Sequence, residues 1–286
     1  MLLCLIPCFK VTGCGSVFHA VNQANKKLSK GYATSGVVAC VCARHSLVQK
    51  NGVGDLQLGE RCASSFPSCK FIADQRSHSY TNTDYILASV LKTVTVQRVA
   101  ISYDIACKWS IHLPKRFAVN HPGVNIKKLE LSYFIPKFHL PGHGASCQTK
   151  YSFNYAKGVG RTHGETVEQE WAHINLAATS TREMGPGARH LALDDHWGGW
   201  NWKKILGMGN LLRQSLVKAL KMKGKHAAVN EKFDATISDE LREEWRTMVR
   251  DWEKDNSKPN PFTHTEKGKN PTRFTPHDAH IVQPAS

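Results

Sequence analysis

The sequence predicts a mixed α/β protein, and three segments carry that prediction. Residues 36–43 form a continuous, valine-rich apolar run, which is typical of a strand covered on both faces. Residues 98–104 are typical of a strand that ends in an acid, Asp104, and a helix is predicted directly after it. Residues 241–252 carry apolar side chains at the spacing of one helix face, so an amphipathic helix is expected near the carboxyl end.

The other elements are predicted from composition and from helix and turn signals. Glycine and asparagine within residues 51–56 indicate a loop, and Pro114 marks the end of the helix that follows Asp104. Residues 129–140 predict a further strand. Additional helices are predicted at residues 20–29, 83–94, 164–178 and 195–220.

Composition excludes several classes of protein. The chain has 286 residues, 41% hydrophobic and 21% charged, enough to bury the core of one large domain or two small ones. Nine cysteines are too few and too scattered for a disulfide scaffold. No apolar run approaches the roughly 20 residues that span a bilayer, and the first residues lack the features of a secretory signal. We therefore expect an intracellular protein that is neither secreted nor inserted in a membrane.

The formal net charge of +15 is unevenly distributed along the chain. Residues 221–286 hold twelve basic and eleven acidic side chains, whereas residues 1–220 hold 26 basic and 12 acidic ones. Such a basic body is expected of a surface that binds a polyanion such as DNA. A charge that serves solubility alone is the alternative.

Carboxylates offer one candidate site. Asp104 follows a predicted buried strand, and three glutamates, Glu165, Glu168 and Glu170, lie at the start of a predicted helix. Mg²⁺ prefers oxygen ligands, and phosphoryl transfer by two cations needs acids from separate elements that converge on one point. Alternatively, Asp104 caps its helix and the glutamates favour a helix amino terminus, where acidic side chains are stabilised.

Cysteine and histidine residues form two clusters of possible soft-metal ligands along the sequence. Each cluster offers three ligands, and zinc binds four such groups in a tetrahedron. The alternative is that the cysteines are small buried apolar residues. The first cluster follows a predicted strand as Cys40, Cys42 and His45, and the second follows another strand as His139, His143 and Cys147.

Three tryptophans, Trp197, Trp200 and Trp202, lie on the predicted helix over residues 195–220. Aromatic side chains beside basic residues can stack on nucleic-acid bases, but tryptophan at helical spacing more often belongs to a core. A nucleophilic triad is disfavoured, because the chain has no Gly-x-Ser-x-Gly elbow.

Six blocks, in chain order, resemble the Kyakuja-Dileera-Zisupton (KDZ) transposases that are abundant in mushroom-forming fungi. They include the segment Ser-Tyr-Asp-Ile-Ala-Cys-Lys-Trp around Asp104, and together they extend over much of residues 12–260. The blocks lie at residues 36–45, 52–61, 102–109, 135–143, 153–162 and 178–187.

The resemblance implies a ribonuclease H-like core in which an Asp-Asp-Glu set binds Mg²⁺ or Mn²⁺. It implies that Asp104 is the second acid, on the fourth strand, and that Glu168 is the third, with Glu165 as the alternative. DNA as partner and a nuclear location are implied with it. The resemblance also implies that the cysteines and histidines of the two clusters are structural or bind zinc.

The chain departs from the family pattern at two points. No Asp or Glu precedes Asp55, although the first acid of the set is expected on the first strand of the core. Residues 62–79 are Ser-rich and look inserted. These departures predict an incomplete, inactive core, truncated at its amino terminus. Residues 1–11 are expected to be irregular, 12–220 to form the core, 221–257 to be helical and 258–286 to be disordered.

Two other functions stay open at this point. The chain can be a non-catalytic DNA-binding protein that retains the basic body of a transposase. It can also be a pseudogene product that does not fold, because a core without its first strand lacks a central element of the sheet.

Overall fold

The computed structural model describes residues 2–7, 34–57 and 80–263. Within them, five strands form one sheet in the order β3-β2-β1-β4-β5. Strand β1 is antiparallel to β2, which is antiparallel to β3, whereas β1, β4 and β5 run parallel. The strands are β1 (Leu2–Pro7), β2 (Thr34–Cys42), β3 (Val48–Gln57), β4 (Arg98–Tyr103) and β5 (Glu130–Phe134).

Residues 1–11 were expected to be irregular. Leu2–Pro7 instead form β1, the central strand of the sheet. Leu5 pairs with Cys40 of β2 on one side and with Tyr103 of β4 on the other. Leu3 is fully buried. A short apolar run has no periodicity of its own, so only the two neighbouring strands determine that it is extended. The expectation that the sheet lacks its first strand is therefore wrong.

Residues 51–56, expected to form a loop, belong to β3 and pair with β2. The asparagine and glycine that indicate a turn lie at an irregularity in the pairing of β2 with β3. Val41 pairs with Val48, whereas Ala39, two residues earlier, pairs with Val53. Asn51 there adopts a positive φ of 57°. A Cβ at Gly54 would lie 2.5 Å from the side chain of Ile86, so this glycine lets the first described helix pack on the strand.

Helices cover the sheet and extend the chain beyond it. They are α1 (Thr81–Leu91), α2 (Ala106–Trp109), α3 (Leu113–Asn120), α4 (Ala145–Lys150), α5 (Thr166–Ile174), α6 (Ala178–Thr181), α7 (Pro186–Asp234) and α8 (Asp239–Lys254), with short 3-10 turns between several of them. One core packs Leu3, Val38 and Ile101 against α1, α2 and α3, and another packs Val41, Phe134 and Phe153 near Trp171 of α5. The mixed α/β prediction is confirmed.

A buried ion pair joins three of these helices. Arg116 of α3 approaches Asp84 of α1 with Nε 2.5 Å from Oδ2, and Trp109 of α2 donates its indole N–H to Asp84 Oδ1 at 2.7 Å. Burial raises the pKa of Asp84, and the Arg116 guanidinium opposes that rise. A charge buried in this way is tolerated only because its partners satisfy it.

Pro114 begins a helix instead of ending one. It lies in the first turn of α3, where its missing N–H has no helical partner to lose. The helix expected directly after Asp104 is consequently two short helices, α2 and α3.

Two compact units divide the chain, residues 1–233 and residues 234–286. In the first, α7 is one continuous helix of 49 residues that crosses the expected boundary at residue 220. In the second, the amphipathic helix predicted at residues 241–252 is confirmed as α8, whose Ser238 hydroxyl accepts from the Leu241 N–H. Phe262 packs on Trp252 with ring centroids 5.7 Å apart.

Several expectations lie outside the described residues, namely those for residues 20–29, 62–79 and 264–286. Among the helices that the structure describes, none has the length and apolar character to cross a membrane.

Candidate functional site

Asp104 lies at the carboxyl edge of the sheet, directly after β4. Because β1, β4 and β5 are parallel, their carboxyl ends meet at this edge. The Asp104 side chain is 17% exposed. Its Oδ1 lies 3.8 Å from Nε2 of His139.

The loop that carries His139 is fixed to the loop that precedes α5. The Lys137 N–H donates to the His163 carbonyl at 2.9 Å, and the Phe138 N–H donates to Glu165 Oε1 at 2.8 Å. The Glu165 N–H in turn donates to Nδ1 of His163 at 3.0 Å. Since Phe138 adjoins His139, these bonds bring Glu165 to the loop beside Asp104.

Gly164 makes the close approach of these loops to β4 possible. It has a φ of +79°, in the left-handed region that glycine adopts without strain. A Cβ at this position would lie 2.6 Å from Ser102 Oγ and 2.9 Å from Phe153 Cε2. A larger residue would push the loop away from the strand that ends in Asp104.

The two other glutamates, Glu168 and Glu170, both lie on α5. Glu168 lies on α5, as predicted, and its side chain is outside the described part of the structure. Glu170 is fully buried, and burial raises its pKa to about 8 against the opposing charge of Lys204. Neither Glu170 carboxyl oxygen has a hydrogen-bond partner among the described residues. The sequence placed Glu170 on this helix but gave no sign of its burial.

Strand β1 reaches the same edge without an acid. Its sequence is Leu-Leu-Cys-Leu-Ile-Pro, and since Leu5 pairs with Tyr103, position 6 comes next to Asp104. A two-cation site needs carboxylates from several converging elements. The described residues bring Asp104 and Glu165 to neighbouring loops, and β1 carries no Asp or Glu.

The structure regroups the cysteines and histidines. Ligand atoms of Cys107, His143 and Cys147 all lie within 4.8 Å of one another, the one such group of three that the described residues form. His139, expected in this cluster, faces Asp104 instead. Cys107 was missed, because it lies 36 residues before its partner His143, and no spacing rule connects residues so far apart.

The other predicted cluster is not assembled as a group of three. Cys40 is fully buried in the apolar core, as expected of a small hydrophobic residue. Cys42 Sγ lies 3.4 Å from Nδ1 of His45, which forms a pair at the end of β2.

Tryptophan side chains on α7 divide between core and surface. Trp197 and Trp200 are buried, which confirms the expectation that they belong to the core, whereas Trp202 is 63% exposed. The Trp200 indole donates to the Ser46 carbonyl at 2.7 Å.

Basic side chains surround the loop that precedes α5. Arg44 donates to the Val159 carbonyl at 3.2 Å, which holds this loop against the end of β2. Lys157 and Arg161 on the loop are exposed, and Lys137 beside it is partly exposed. The surface of this loop is therefore cationic.

Asp55 does not contribute to this edge. It lies on β3, where it pairs with Arg189 of α7 and with His190, whose Nε2 is 3.0 Å from Asp55 Oδ2. The sequence predicts that Asp55 does not replace the first acid. In the structure its carboxylate pairs with α7 instead.

A comparison with protein-family models matches residues 9–69 and 62–201 to the Kyakuja-Dileera-Zisupton transposase family. Neither a curated protein nor a solved structure matches the chain. The family match extends over more than half of the chain and includes β2, β3, β4, β5 and Asp104, whereas β1 precedes the matched residues. The chain therefore belongs to the Kyakuja-Dileera-Zisupton (KDZ) family of transposases.

Proposed function

We propose that the chain is the ribonuclease H-like core of a KDZ DNA transposase of the fungal type, one that binds DNA but has lost strand cleavage and transfer. The observation that carries this proposal is the pairing of an acid-free β1 beside β4. The strand order β3-β2-β1-β4-β5, with β2 alone antiparallel to both neighbours, supports the ribonuclease H-like assignment.

In this proposal Asp104 is the second acid of the family's Asp-Asp-Glu set. Glu168 on α5 is the third, with Glu165, just before α5, as the alternative. Mg²⁺ or Mn²⁺, when bound by a complete set, activates the attacking oxygen and stabilises the leaving one. Position 6 of β1, next to Asp104, carries isoleucine, so one ligand group is missing and the rate is expected to fall by several powers of ten.

In this proposal the chain still binds DNA, because binding requires basic side chains and not the three acids of the Asp-Asp-Glu set. The exposed Lys157 and Arg161 lie on the loop that precedes α5 and offer positive charge to a DNA backbone. A protein with this role acts in the nucleus.

The test is a cleavage assay on DNA that carries the element's ends, with Mg²⁺ or Mn²⁺ in excess. We expect no metal-dependent nicking by the wild-type chain. The variant Ile6→Asp is expected to gain nicking, whereas the matched Ile6→Asn, of the same size but without charge, is not. Robust cleavage by the wild type that Asp104→Asn abolishes would show that the inactivity proposal is wrong.

A second candidate function is that of a DNA-binding protein whose role is independent of transposition. The excess of basic residues in residues 1–220 favours it. The two functions differ in which DNA they bind. A preference for the element's own ends over unrelated DNA of equal length supports the transposase-derived role.

A further inference from the structure

We propose that Cys107, His143 and Cys147 bind one Zn²⁺ ion. Cys107 Sγ lies 3.6 Å from His143 Nδ1. In a tetrahedral site with Zn–S of about 2.3 Å and Zn–N of about 2.1 Å, a sulfur and a nitrogen ligand lie about 3.6 Å apart. All three ligand atoms lie within 4.8 Å of one another, so small side-chain rotations complete the arrangement.

The local structure holds two of the ligands in place. His143 and Cys147 lie four residues apart, with His143 just before α4 and Cys147 in its first turn, where the Cys147 N–H donates to the Gly144 carbonyl at 2.9 Å. The Gln148 amide donates to the His143 carbonyl at 2.7 Å. These two hydrogen bonds fix the backbone turn that carries both side chains, without an ion.

Cys107 supplies the third ligand from a different element. It lies on α2, three residues after Asp104, and is 8% exposed. The His143 ring also forms a hydrogen bond with the backbone of Asp104. Histidines that bind zinc commonly use their second ring nitrogen in this way, which fixes the tautomer and the orientation of the ring.

Zinc is favoured over the two other fates of these cysteines. As small apolar residues they would not need a histidine nitrogen among them, and a disulfide between Cys107 and Cys147 would make no use of the His143 nitrogen that lies 3.6 Å from Cys107 Sγ. Two thiolates and one imidazole are a ligand set that zinc prefers, with the fourth position open to water. On binding, each thiol loses its proton to solvent, so occupancy should rise with pH.

The consequence is a cross-link within the fold. The ion joins the turn that carries Asp104, through Cys107, to α4, through His143 and Cys147. This inference does not depend on the proposed function, since a structural ion would hold this turn in an active or an inactive transposase core.

The test uses the full chain, purified without added chelator, with zinc measured by plasma mass spectrometry. We expect about one zinc per chain, and a loss of at least tenfold in each of Cys107→Ser, His143→Ala and Cys147→Ser. Cys42→Ser is the matched control, because Cys42 has its own histidine partner and lies outside the group; it is expected to retain the metal. Circular dichroism reports whether each variant folds.

Cobalt keeps the proposal testable where a variant does not fold. Co²⁺ added to the metal-free wild-type chain should give the intense charge-transfer absorption of thiolate ligands, and Zn²⁺ should displace it. Absence of that absorption, or a zinc content that is negligible in the wild type or unchanged in folded Cys107→Ser, would overturn the proposal. A Cys107–Cys147 disulfide found by mass spectrometry under reducing preparation would overturn it as well.

Discussion

At the scale of single residues, function depends on which acids reach Asp104. The backbone brings Glu165 to the adjoining loop through Phe138, and the parallel register brings position 6 of β1 to its side. The first contact provides a carboxylate and the second does not. In the proposed function, this one absent carboxylate separates DNA binding from catalysis.

Glu170 gives a prediction about pH. Its pKa is raised to about 8 in the folded chain from an ordinary value of 4.5, because burial disfavours the charged form. The folded state therefore binds this proton more tightly than the unfolded state does. The resulting stabilisation is complete below pH 4.5 and is lost as pH rises through about 8.

We expect Glu170→Gln to remove this dependence. The variant should gain stability relative to the wild type as pH rises, by up to about 4 kcal/mol between pH 5 and pH 9. Denaturant unfolding at a series of pH values measures the difference. The exposed Glu183→Gln serves as control, and an equal pH profile for wild type and Glu170→Gln would contradict the expectation.

At the scale of elements, the attachment of α7 to the sheet rests on a few side chains. Trp200 is 7% exposed and donates to the Ser46 carbonyl, and Asn201 both accepts from the Val48 N–H at 2.9 Å and donates to the Val48 carbonyl at 3.1 Å. Asn201 in this way pairs with β3 as a neighbouring strand would. The amino-terminal part of a long helix is thereby fixed to the sheet.

Trp200→Ala is therefore expected to destabilise the first unit by about 3–5 kcal/mol, through the cavity and the unpaired Ser46 carbonyl. Trp202→Ala is the matched control, since that side chain is 63% exposed and its loss should cost less than about 0.5 kcal/mol. Thermal melts of both variants measure the effect. Equal melting temperatures for the two would show that α7 is not held in this way.

At the scale of the whole molecule, the proposed interaction with DNA depends on charge. The net charge of +15 arises almost entirely within residues 1–220, which include the sheet and the Asp104 edge. Each cation that neutralises a phosphate releases a condensed counterion, so the affinity of such a surface for DNA depends steeply on salt.

We expect the affinity for duplex DNA to fall at least about tenfold between about 50 and 200 mM salt, as measured by fluorescence anisotropy. Lys157→Glu with Arg161→Glu should weaken binding and reduce the salt slope. Lys254→Glu, a charge reversal at the end of α8, is the control and should change neither. An affinity indifferent to salt would exclude DNA binding through this surface.

Local sequence patterns were sufficient to predict the elements that have a clear periodicity of their own. The run at residues 36–43, the strand that ends in Asp104 and the amphipathic α8 were all predicted, because burial on both faces, a strand followed by a turn, and one apolar helix face each leave a distinct period. The resemblance to KDZ transposases also came from the sequence alone, and the family match confirms it.

The structure alone decided the features that depend on distant partners. Leu2–Pro7 is a strand because β2 and β4 pair with it, and residues 51–56 are a strand because pairing with β2 outweighs their glycines. Cys107 joins His143 and Cys147 because the turn after β4 folds onto α4. The sequence by itself determined the family, the charge and Asp104; tertiary contacts decided what surrounds Asp104, since residues far apart in the chain meet only through packing.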